Sequence, residues 1–155
     1  MTSKFTADIA EIVVRDLGAL AQEVEDTPLK DLWEVPEGVK NSVGTLALHL
    51  CGNLRHFIGH GLGEDDYERD RQAEFERRDA SKEEILQEIE RTQATTLAAL
   101  ADLGEEDVQK DMPITPPQHE GRSVGFFLVQ LCCHLSWHRG QLNYLRRMLK
   151  EGGGG

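Results

Sequence analysis

Apolar residues recur along this chain at three- and four-residue steps in four segments, the period of amphipathic α-helices. In the first, residues 3–24, the stripe is Phe5, Ile9, Ile12, Val13, Leu17, Leu20 and Val24. The second opens at Asn41 or Ser42, either of which can cap a helix, and runs to about His60, where Gly59, Gly61 and Gly63 stop it. Its stripe is Leu46, Leu50, Leu54 and Phe57. The third begins with Ser81-Lys82-Glu83-Glu84, a capping-box pattern in which Ser81 and Glu84 satisfy orphan backbone donors. It carries Ile85, Ile89, Leu100 and Leu103 before Gly104. The fourth, residues 123–150, has a broad apolar face of Phe127, Leu131, Leu135, Leu142, Leu145 and Leu149.

No strand alternation is present. The expected fold is therefore all-α, one domain over residues 1–150, with a disordered glycine tail over 151–155. A long charged stretch, residues 63–80, joins the second and third helices; such a link can cross a bundle, so these two need not be antiparallel neighbours. A proline-rich link with Gly121 joins the third helix to the fourth and predicts a turn or a short extended piece.

Composition narrows the function. A length of 155 residues suits a single core. The formal charge of −11 repels phosphate backbones and argues against nucleic acid. No apolar run is long enough to span a bilayer and none resembles a secretory signal, so the expected setting is cytoplasmic, away from membranes. Three cysteines, two of them adjacent in a helix, do not form a disulfide framework and read as small buried hydrophobes.

The chemistry lies in the histidines. His134 and His138 are spaced i, i+4, which stacks two imidazoles on one helix face about 6 Å apart along the axis, a spacing that chelates one metal ion. Leu131, Leu142 and Leu145 border that face, so the pair points inward or into a cleft, where it needs polar partners. Gln130 and Gln141 can support the rings. His49, beside the stripe of the second helix, is the candidate third ligand. His56 and His60 share much of that side and are candidates for the cleft mouth or for a base; His119 reads as a solvated loop residue. Leu135 stands where a zinc peptidase of the His-Glu-x-x-His kind has its Glu, and no phosphate loop, Cys-x-x-Cys pair or nucleophile elbow occurs. No Glu precedes a histidine by three residues, which excludes the ferritin-like di-iron pattern. Arg139 reads as solvent-facing or as a contact for an anionic substrate, Trp137 as core or dimer packing, and the acidic crossover as a solvated face.

Two stretches carry a resemblance. One is Ser42-Val43-Gly44-Thr45-Leu46-Ala47-Leu48-His49-Leu50, continuing through Asn53-Leu54-Arg55-His56-Phe57. The other is His134-Leu135-Ser136-Trp137-His138-Arg139-Gly140-Gln141-Leu142. With Arg71, Glu74 and Phe75 in the crossover, the chain resembles the DinB/YfiT-like superfamily of metal-dependent enzymes. The resemblance implies a four-helix bundle in up-down-down-up order. It also implies a divalent ion, nickel or zinc, held by one histidine of the second helix and two of the fourth, here His49, His134 and His138. Homodimers are expected. So is action on a small molecule, by thiol-dependent transfer with a low-molecular-weight thiol or by hydrolysis. The alternative is a non-catalytic metal-binding stress-response module.

Overall fold

A computed structural model describes residues 1–152, which are helical wherever they are regular. Helix α1 spans Lys4–Asp26, with the Ser3 hydroxyl accepting from the Thr6 amide at its start. Ile9, Val13, Leu17, Leu20 and Val24 bury the expected stripe. Helix α2 spans Val43–Leu54; Ser42, not Asn41, is its cap, accepting from Thr45. A short helix that the sequence pattern does not announce, α3, spans Arg71–Glu76 inside the charged crossover, capped by Asp70. Helix α4 spans Lys82–Ala101 behind the capping box of Ser81 and Glu84. Helix α5 spans Val124–Gly152, a little beyond the expected end at Lys150; the rest of the expected glycine tail, 153–155, lies outside the described residues.

Helix α1 packs on α4 and α5, and α2 packs on α3, α4 and α5 while touching α1. Leu17, Leu50, Ile85, Leu128, Leu135 and Leu142, from α1, α2, α4 and α5, are fully buried in one core. The start of α1 is tied to the end of α4 by hydrogen bonds from the Ser3 amide and the Thr6 hydroxyl to the Leu103 carbonyl.

Helix α2 is buried nearly all round, not on one stripe. The reason is its second face, Gly44, Ala47, Cys51 and Gly52, whose small side chains let neighbours close in. A Cβ on Gly44 would stand 2.5 Å from the Trp33 ring, and one on Gly52 would collide with the Glu74 carboxylate. Helix α2 runs into a π-helical turn, Arg55–His60, closed by a bond from the Gly61 amide to the His56 carbonyl. The proline-rich link forms an isolated antiparallel bridge between Asp111 and Ser123, with Gly121 at φ 74° in the turn. Among the described residues no helix is long and apolar enough to cross a membrane.

Candidate metal centre

Helix α5 delivers His134 and His138 from successive turns, and α2 delivers His49 from the facing helix. One ring nitrogen from each of the three lies within 4.8 Å of the others. His49 Nε2 and His134 Nε2 are 3.2 Å apart. The rings meet nearly edge-on, at interplanar angles of 76°, 88° and 85°, as rings do when they radiate from one point.

The outward nitrogens set the tautomers. His49 Nδ1 lies 3.1 Å from Glu74 Oε1, and Arg69 holds the same carboxylate through two bonds of 2.8 and 2.9 Å. Burial by itself would raise the Glu74 pKa, but the hydrogen bonds from His49 and Arg69 outweigh it and hold the carboxyl below its usual range. An ionised carboxylate only accepts, so His49 Nδ1 donates and Nε2 is the nitrogen that faces the other rings. His138 Nδ1 pairs with Gln141 Oε1 at 2.7 Å, which leaves its Nε2 as ligand in the same way. Gln141 thus supports the site as the sequence suggests, whereas Gln130 lines the adjoining cavity. Burial and the neighbouring cationic groups push His134 down to about 4, and burial also lowers His138. Both are neutral at physiological pH, the form that binds a metal.

The residues fit a divalent ion. Tetrahedral zinc with nitrogen ligands at roughly 2.0–2.1 Å spaces those nitrogens about 3.3 Å apart, close to the His49–His134 separation. His134 Nδ1 is buried without a hydrogen-bond partner, and the ring's one polar contact is through Nε2, which faces His49 Nε2. Among the described residues no fourth histidine, cysteine or carboxylate joins the three imidazoles, which makes them the donor set of an open site.

The three rings form one wall of an open cavity of about 690 Å³, which Phe57, Phe75, Phe127 and the proline-rich link also line. His56 lines it. His60 does not: the π-helical turn advances the chain by fewer degrees per residue than an α-helix, so the last histidine swings outward and bonds the Asp65 carbonyl. Arg139 points elsewhere too, with Nε 3.7 Å from the buried Asp16 of α1, because α5 turns this residue towards α1. His119 is half-buried, not fully solvated; it packs on Phe126 and Phe127 and joins the cavity wall. Trp137 is 70% exposed and takes no part in the core, and Cys133 is exposed while Cys51 and Cys132 are buried.

Glu74 is the residue that helical periodicity cannot find. The crossover reads as a solvated acidic face, yet Glu74 is buried beneath the site. Its one sequence signal is its place beside Arg71 and Phe75 in the resemblance. Asp65 is likewise drawn in, paired with the Arg55 guanidinium at 2.9 Å.

A comparison with curated proteins returned no match. The model of a protein family described as protein of unknown function DUF1572 matches residues 6–153, and the chain belongs to that family.

Proposed function

We propose that this protein is a metal-dependent enzyme of the DinB-like type, acting on a small molecule bound beside an ion held by His49, His134 and His138. The observation that carries the reading is the convergence of three imidazoles on one wall of an open cavity, with a carboxylate and a glutamine orienting two of them. The pairing of α1 with α4 and α5, and of α2 with α4 and α5, supports the up-down-down-up four-helix bundle that the resemblance implies.

A divalent ion at such a site supplies a nucleophile at neutral pH, by lowering the pKa of water to about 7 or by stabilising a thiolate. The chain provides the rest. Glu74 and Arg69 keep His49 oriented, and Phe57, Phe75 and Phe127 keep bulk water from one side of the cavity. His56 faces the cavity with its pKa lowered by burial and by Arg69, so it is neutral and can accept a proton. Among the described residues no serine or cysteine borders the cavity and its one hydroxyl side chain is Thr115, which favours thiol transfer over acyl-enzyme chemistry. Nickel or zinc suits an all-imidazole site.

The test is metal analysis of the purified protein followed by an assay of thiol conjugation to an electrophile with the zinc- and nickel-loaded forms. One ion per chain and turnover that disappears in His134→Ala are expected; absence of turnover with any common low-molecular-weight thiol would remove the thiol branch. A second reading, a non-catalytic metal-binding stress-response module, draws on the ligands coming from two helices, which an ion would staple together. It requires a closed coordination shell, which the adjoining cavity disfavours. The exposed Trp137, Tyr144 and Met148 on α5 are the surface we assign to a homodimer.

A further inference from the structure

Carboxylates are unevenly placed in this molecule. The chain carries a net charge of −11, yet among the described residues no Asp or Glu lines the cavity beside the three histidines, and Arg69 and Arg71 do. The neighbouring carboxylates Glu68, Asp70 and Glu74 border a separate hollow together with Glu84, Glu88 and three arginines. An acidic protein that keeps carboxylates out of one cavity, and puts arginines into it, has a cavity suited to an anion.

The two arginines are not equivalent. Arg69 is committed to Glu74. Arg71 lies over the Phe75 ring, 5.0 Å from its centroid, and forms no ion pair among the described residues. Its planar fork, presented at the exposed rim, matches a carboxylate. Deeper in the same cavity, Asn53 is 8% exposed and its Oδ1 is buried with no hydrogen-bond partner. It sits one turn beyond His49 on α2, so it faces the same space. A buried acceptor left without a donor is unfavourable, and a ligand N–H or O–H removes the deficit. Phe57, Phe127 and Ile114 supply apolar wall between these polar points.

We propose that the cavity binds a small organic carboxylate, with the carboxylate on Arg71, an N–H or O–H donor on Asn53 Oδ1, and an apolar body against the phenylalanines. This deepens the metal-dependent reading and rests on it only for the end of the ligand that meets the histidines.

The test uses full-length protein loaded with cobalt(II), whose stoichiometry is measured first. Two thiol probes, 3-mercaptopropionate and its neutral amide, are titrated against the near-ultraviolet thiolate-to-cobalt band. The carboxylate should bind about tenfold or more tightly than the amide, and in Arg71→Gln, with metal content unchanged, the ratio should fall to about twofold or less. Equal affinities in the wild type, or a ratio that survives Arg71→Gln, would overturn the proposal while leaving the metal centre intact. Inorganic phosphate competing as well as propionate would overturn the carboxylate assignment. Should no cobalt bind, the metal reading fails, and the anion site is read from melting temperature: succinate should raise it in the wild type and not in Arg71→Gln, and no shift in either would sink the site.

Discussion

His49 and Glu74 are hydrogen-bonded across 3.1 Å, although 25 positions separate them in the chain. The carboxylate sits behind the imidazole, on the far side from the cavity, and Arg69 grips both its oxygens. The pair is buried on both sides, with side-chain exposures of 8% and 5%. A candidate metal ligand on α2 is thereby aimed by the crossover that links α2 to α4.

Glu74→Gln should weaken metal binding about 10- to 100-fold, because an amide orients the imidazole less strongly than a carboxylate and adds no charge to it. Competition with a chromophoric chelator measures the change. Glu74→Ala should do the same and also lower stability by roughly 1–3 kcal/mol, since Arg69 loses its partner in a largely buried position. Unchanged metal affinity in both variants would dismiss the orienting role.

Gly52→Ala should reduce metal affinity without touching a ligand. A methyl group there meets the Glu74 carboxylate, and with α3 packed on α2 the carboxylate must move away from His49. Gly140→Ala on α5, where an added Cβ meets nothing within 4 Å, is the matched control and should bind metal as the wild type does.

Removing single histidines should sort them by place. His49→Ala, His134→Ala and His138→Ala should each abolish tight binding of one ion per chain, measured by elemental analysis after dialysis. His60→Ala should leave metal content unaltered and stability within about 0.5 kcal/mol, since its ring is exposed. His56→Ala should keep the ion and lose turnover, because it faces the cavity without joining the three rings.

Acidification should destabilise the metal-free protein in a defined window. His134 titrates near 6.5 when unfolded and at about 4 when folded, so between those values the unfolded chain binds more protons. Stability is therefore lost as pH falls from about 6.5 to about 4, above the range where Glu74, itself lowered, begins to protonate. Melting temperatures of chelated protein against pH should show this slope, and His134→Ala should reduce it, the remainder coming from His138 and His56, which are also lowered. Metal affinity falls in the same direction, because protons and the ion compete for the imidazoles.

On the proposed homodimer surface, Trp137→Glu should give a monomer in sedimentation experiments where the wild type gives a dimer. Trp137, Tyr144 and Met148 recur at helical spacing on an outer face of α5 and are 70%, 68% and 45% exposed. A monomeric wild type would remove the assigned surface.

The sequence by itself determined the parts that depend on near neighbours. Stripes such as Ile9-Val13-Leu17-Leu20 follow from 3.6 residues per turn, and the caps at Ser42 and Ser81 bond amides three residues away. The stacking of His134 and His138 is likewise a property of one helix, legible without knowing what faces it. Tertiary structure alone decided what those parts meet. Glu74 is polar and lies in a charged run, so no periodicity marks it; it is buried because Gly52 leaves room and because His49 and Arg69 offset the loss of water. His60 left the cavity through a π-helical turn, His119 entered it by packing on Phe127, and Arg139 turned to Asp16. Each of these outcomes depends on helices and links docking at long range, where the local repeat carries no information.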